Sequence, residues 1–331
     1  MNRWISYAAA AGAAAGLWML LAGCGAPQTM SGSAQEGVKK IAVVQLMQHG
    51  SLDAANKGFL AGLAQNGFPA DRIQTDQQNA QGDQSNLKSI IARFKGEKPD
   101  LICAIATPAA QAAANDIHDT PVVGIAVTDY VQAKLVQSNE KPGGNVTGAS
   151  DMNPVGRQLD MALQLMPQAR RAGLLYNSSE VNSEVQGQEM KKYAAEKGLS
   201  VVEKTVSSVN DIQQAAESMA GQVDFLYVPT DNILASSMPT LLKITDKAHI
   251  PVIAGAESMV KDGALASLSV DYYQLGVQAG AMAAKILKGE AQAADLPVET
   301  QQNLTVVINR KNADLLGIAV PEEMAEKARF E

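Results

Sequence analysis

Tryptophan is nearly missing from this chain: Trp4 and Trp18 are its only two, both near the start. Beyond residue 23 the aromatic residues are six Tyr and five Phe. That scarcity argues against a sugar receptor built on Trp stacking. Cysteine is equally sparse, with Cys24 and Cys103 alone. Cys103 sits in the apolar run Leu101-Ile102-Cys103-Ala104-Ile105, where a buried small hydrophobe is expected rather than a nucleophile. The three histidines, His49, His118 and His249, form no cluster with metal-ligand spacing. No zinc-protease, nucleophile-elbow, Walker or dinucleotide fingerprint occurs, so nothing in the residues asks for a cofactor, a metal or catalysis. Basic charge is also short. Without the first 23 residues, 26 Lys and Arg face 34 Asp and Glu, a net charge of −8. A nucleic-acid partner would require a basic face, so that class is set aside.

What the chain does have begins with an address. Arg3 precedes an apolar, Ala- and Gly-rich run from Tyr7 to Ala22, the layout of a secretory signal. The run is short and contains Gly, which makes a permanent membrane span the weaker reading. Leu21-Ala22-Gly23-Cys24 then reads as a bacterial lipobox, with cleavage before Cys24 and lipid on its thiol and new amine. Gly25 to Gly37 is small and polar, the composition of a flexible tether. A membrane partner through the lipid, and a position on the extracytoplasmic side, are therefore expected.

From Val38 onward, short β-branched runs alternate with amphipathic segments. Strands are expected over 41–44, 71–75, 101–106 and 121–127, with helices over 53–66, 84–95 and 109–117 between them. Uninterrupted apolar runs of this kind mark strands covered on both faces, hence parallel sheets. The loop Lys141-Pro142-Gly143-Gly144 ends this series. A second one follows, with helices over 154–165, 182–197, 210–219 and 232–249 and strands over 172–176, 200–206, 224–228, 251–254 and 265–270. A helix over 273–287 and a strand over 304–308 close the chain. The fold class is α/β: two doubly wound, Rossmann-like lobes joined by a multi-crossover hinge. The expected division is 1–23 signal, 24–37 lipidated Cys and tether, 38–148 plus 272–299 first lobe, and 149–271 plus 300–331 second lobe.

In open parallel sheets ligands bind beyond the carboxyl ends of the strands. The first lobe places Gln48, His49 and Ser51 there, then Thr107, Pro108, Ala109 and Ala110, then Thr128, Asp129 and Tyr130. The second places Asn177, Ser178, Asp231, Asn232, Glu257 and Asp271. Thr107 suits an N-cap and Pro108 the first helical position, leaving the next amides open to a carboxylate; a plain cap without a ligand reads the same way. A buried amino group needs a fixed negative partner. Asp129, Asp231 and Asp271 all fall at strand ends, where each serves equally as a helix cap. Asp231, opposite Thr107, is the preferred candidate.

These stretches resemble a known family. His49-Gly-Ser-Leu-Asp53, Asn79-Ala-Gln-Gly-Asp83, Ala104-Ile-Ala-Thr-Pro-Ala-Ala-Gln111, Lys141-Pro-Gly-Gly-Asn-Val-Thr-Gly148, Tyr227-Val-Pro-Thr-Asp-Asn232, Gly263-Ala-Leu-Ala-Ser267 and Val270-Asp-Tyr-Tyr273 resemble the ABC transporter substrate-binding lipoproteins of the tryptophan/tyrosine-type (TrpX-like) group, of type I periplasmic-binding fold. The resemblance implies two lobes on a three-stranded hinge and an amino acid, often aromatic, between them. It gives the carboxylate to the Thr107 loop and the amino group to Asp231, and it implies an ABC permease and its ATPase as partners. Tyr130 after Asp129, and Gly255-Ala256 before Glu257, depart from the family's usual residues. Another small polar solute, such as a sugar or nucleoside, or a sensor lipoprotein serving a membrane signalling partner, fits the same architecture.

Overall fold

The most apolar runs become the innermost strands. The computed structural model describes residues 37–331; the expected signal, Cys24 and the tether through residue 36 lie outside them. The chain opens with β1 (Lys39–Gln45), α1 (Gly50–Gln65), β2 (Ile73–Asn79), α2 (Gln84–Glu97), β3 (Leu101–Ile105), α3 (Thr107–Asp116), β4 (Val122–Val127) and β5 (Val146–Ser150). It crosses to α4 (Val155–Leu165), β6 (Arg171–Asn177), α5 (Val181–Glu196), β7 (Ser200–Val206), α6 (Ile212–Met219), β8 (Phe225–Val228), α7 (Asn232–Ser236), α8 (Met238–Lys247), β9 (Val252–Ala254), α9 (Glu257–Lys261) and β10 (Ala266–Ser269). It returns for α10 (Tyr272–Leu287) and β11 (Glu299–Thr300). It then crosses again to β12 (Thr305–Ile308), α11 (Arg310–Leu316), α12 (Glu322–Ala325) and β13 (Arg329–Phe330).

One sheet runs β11-β5-β4-β3-β1-β2 and the other β13-β12-β10-β9-β8-β6-β7. Neighbours are parallel except β10 and β12, which pair antiparallel. Every residue of β3 and β4 is buried, as helices on both faces require, whereas β2 and β7 lie at sheet edges and are partly exposed. Cys103, in the middle of β3, is a free buried thiol. The fold is the doubly wound α/β pair that the residue pattern implies.

Two differences in the elements have physical causes. The expected helix over 232–249 is broken at Ser237, where α8 begins with Pro239 in its first turn and so lacks an amide to extend α7. Helix α3 begins one residue early: its cap is Ala106, at φ 87°, so Thr107 is the first helical residue and not the cap. Strand β5 and the short α9, α11 and α12 were not anticipated from apolar patterning.

Helices α1 and α10 position the cleft. A Cβ on Gly58 would lie 2.0 Å from the carbonyl oxygen of Tyr273, and one on Gly276 would lie 2.0 Å from that of Ala55. Gly62 stands in the same relation to Val277, and Gly280 to Phe59. Residue numbers rise together on both helices, so they run parallel, with backbones touching. Their first turns, Gly50-Ser51 and Tyr272-Tyr273, therefore emerge side by side at the junction of the lobes.

Candidate functional site

The carboxyl ends of the two sheets face each other across a narrow cavity. The first lobe contributes His49, Ser51, Leu52, Ala126 and, from α10, Tyr272. The second contributes Thr230, Asp231, Asn232, Ala235, Ala256 and Met259, and Asp151 enters from the crossing after β5. Neither Lys nor Arg lines it. Ala126, like Ala106, has a left-handed backbone (φ 57°), the kind of local strain that gathers at ligand sites.

Side chains tie the lobes together around this space. His49 Nε2 lies 3.1 Å from Asn232 Oδ1, Ser51 Oγ 2.7 Å from Ser258 Oγ, and Thr128 Oγ1 3.3 Å from Thr230 Oγ1. The first contact fixes a tautomer. Asn232 donates its Nδ2 to Glu180 Oε2, which turns its Oδ1 toward His49. An amide oxygen only accepts, so Nε2 of His49 carries the proton and Nδ1 of the neutral ring bears the lone pair. That Nδ1 is buried and has no partner among the described residues. Burial holds the His49 pKa below its ordinary value, which favours this neutral ring.

Three acids are buried here. Asp151, 3% exposed, accepts from Thr128 Oγ1 at 3.0 Å and from Tyr272 Oη at 2.7 Å. Asp231, 1% exposed, accepts from the Asn177 and Leu234 amides and from Ser183 Oγ at 2.6–2.9 Å. Glu180 stands behind Asp231 and accepts from Asn177, Asn182 and Asn232. Loss of water raises the pKa of all three; for Glu180, burial and the neighbouring Asp231 charge push it up to about 7. A cation arriving between these acids would relieve that cost.

Residues 40–330 match the family model of ABC transporter substrate-binding proteins. The chain belongs to that family. A tyrosine-binding protein of Clostridioides difficile is 44% identical over 272 residues, spanning 82% of this chain and 79% of that one. Among solved structures, an ABC domain from Streptococcus pneumonia in complex with L-Trp is 41% identical, with a TM-score of 0.86 over 88% of this chain and 99% of the other. A substrate-binding protein of Clostridium difficile in its ligand-free, open form is 43% identical over 89% and 99%, but its TM-score is 0.69. At nearly equal identity, this structure follows the ligand-bound shape, in keeping with the side chains that bridge its lobes. The fold is that of type I periplasmic binding proteins. As the substrate-binding component of an ABC transporter, this protein works outside the cytoplasm, with a small-molecule ligand and a permease as partners.

Of the residues expected from the sequence, the cavity between the lobes gathers His49, Ser51, Asp231 and Asn232. Thr128 stands just behind, bonded to Asp151. Thr107 is not in the lining, yet its hydroxyl is buried without a partner; Ala109 and Ala110 are core, and Pro108 is half-buried beside them. Tyr130 is a correction: its side chain folds back into the first lobe, where the hydroxyl donates to the Gly124 carbonyl at 2.8 Å. Asp129 is a correction of another kind, because its carboxylate caps the turn at Val131 and Gln132. Asn177 is spent internally on Glu180 and the Asp231 carboxylate, while Gln48 and Ser178 are exposed. Glu257 pairs with Lys261 and Arg329, and Asp271 caps α10; both line an outer groove instead. Sequence reasoning missed Leu52, Ala126, Asp151, Ala235, Ala256 and Met259, while Thr230 and Tyr272 belong to strand-end stretches that were weighed without being singled out. Asp151 directly follows a strand that was not anticipated.

Proposed function

We propose that this protein is the lipid-anchored receptor of an ABC importer for an amino acid with an aromatic or other hydrophobic side chain. One observation carries the reading. The cavity lining combines two buried acids, Asp151 and Asp231, with apolar Leu52, Ala126, Ala235, Ala256 and Met259, and includes neither Lys nor Arg. A solute with a cationic head and an apolar body satisfies both halves. A relative named for tyrosine and a neighbour holding L-Trp support the same ligand class.

In this reading the ammonium group sits between Asp151 and Asp231. Asp231 already takes three donors and serves mainly as a fixed charge, whereas the two donors to Asp151 are hydroxyls that can rotate. The carboxylate is left to backbone amides at the first turn of α1, where Ser51 and Leu52 line the cavity, since neither Lys nor Arg does. Cys24 would carry the lipid, with the tether giving the two lobes freedom to meet the permease.

Titration calorimetry with L-tryptophan, L-tyrosine and their N-acetyl derivatives tests the assignment. Asp151→Asn should weaken the free amino acids by about 2 kcal/mol, roughly thirtyfold. N-acetylation should abolish binding to the unaltered protein. Equal affinity for the acetylated and free forms would remove the acids from ligand recognition, and tighter binding of glucose or adenosine would replace the ligand class.

A further inference from the structure

The inner cavity shares Ser51 and Tyr272 with an outer groove lined by Gly50, Ser258, Tyr273, Glu257 and Arg329. What separates the two spaces is a seam where the first turn of α1 meets α9. Ser51 Oγ and Ser258 Oγ lie 2.7 Å apart across it. Next to them, a Cβ on Gly50 would lie 2.9 Å from the Cβ of Ser258, closer than carbon atoms pack. Ser258 Cβ is fixed to a helix and cannot swing aside as the tip of a long side chain would. Gly50 does not need its freedom for backbone reasons, because its φ is not in the left-handed region. Among the described residues, the one neighbour that a Cβ at position 50 would meet within 4 Å, Ser258, belongs to the opposite lobe.

We infer that Gly50 is a positioning residue for closure: the missing side chain sets how far α1 and α9 approach, and so lets the Ser51–Ser258 contact seal this side of the cavity. The inference rests on the reading of the cleft as a closing receptor site and adds a residue that touches no ligand. A side chain at position 50 acts as a wedge that the open form does not feel. It reduces the fraction of molecules able to close, and apparent affinity falls by that fraction.

The test is a double-mutant cycle on L-tryptophan and L-tyrosine affinity, with lobe closure read separately. Gly50→Val should weaken both ligands by about ten- to hundredfold, the range of overpacking a tight contact, without lowering the melting temperature of the ligand-free protein. Ser258→Gly added to it should restore most of the loss, since it removes the atom that is met. Wild-type affinity in Gly50→Val, or a double variant as weak as the single, overturns the proposal. For closure itself, Ser51→Cys with Ser258→Cys should form a disulfide under mild oxidant, and adding Gly50→Val should slow it. If neither amino acid binds the unaltered protein while this cross-linking pattern holds, the ligand class fails and the seam stands. If the pair never cross-links, the seam fails whatever the ligand.

Discussion

A carboxylate behind the cavity wall shows how the site's chemistry reaches into stability. Glu180 is held protonated up to about 7 by burial and by Asp231, whereas in the unfolded chain it titrates near 4.5. Between those values the native state binds more protons than the unfolded state, so this group's contribution is complete below 4.5 and is lost as pH rises toward 7. His49 pulls the other way: its pKa is lowered from 6.5, so the native state loses stability as pH falls below that value. Comparing two proteins that both keep His49 cancels the second effect. The stability advantage of the unaltered protein over Glu180→Gln should therefore shrink by about 2–3 kcal/mol from pH 4.5 to 7.5. Urea unfolding at both pH values checks it; a constant difference would mean that Glu180 is ionised throughout. Asp231 was legible from its place after a strand, and so was its neighbour Asn232. The burden on Asp231 was not, because Asn177, Ser183 and Leu234 reach it only through the fold.

At the scale of elements, apolar patterning marked every long strand and helix to within a few residues, since burial on one or both faces leaves a periodic trace. It did not mark β5, whose Val146-Thr147-Gly148-Ala149-Ser150 is small and mixed although fully buried. That omission hid Asp151. The glycines of α1 and α10 were likewise silent, because spacing alone does not say which helix a bare face will meet. Their consequence is measurable. Gly276→Ala puts a methyl group 2.0 Å from the Ala55 carbonyl oxygen, so the helices must part along their whole contact. The expected cost is about 3 kcal/mol, at the upper end for overpacking and far from the small gain that Gly→Ala gives in an open helix. A denaturant midpoint equal to that of the unaltered protein would show that the helices slide past each other freely.

At the scale of the whole molecule, the proposed attachment to a membrane through Cys24 has to leave the two lobes free to close. Among the described residues no helix is long and apolar enough to cross a bilayer. The described residues begin at 37, and the lobes exchange chain three times, after β5, β10 and β11. An anchor inside either lobe would load that hinge, whereas the proposed one at Cys24 would be separated from β1 by about a dozen mostly small and polar residues of sequence. One acyl chain binds a bilayer only reversibly, so under the proposed anchoring stable attachment would need lipid on both the thiol and the amine of Cys24. Cys24→Ser should then move the protein from the membrane to the soluble fraction and abolish palmitate labelling. Its affinity for L-tryptophan or L-tyrosine should match that of the unaltered protein, because the residues that line the cavity run from His49 to Tyr272. Continued labelling would place the lipid elsewhere, and a loss of affinity on release would mean that the anchor takes part in closing the cleft.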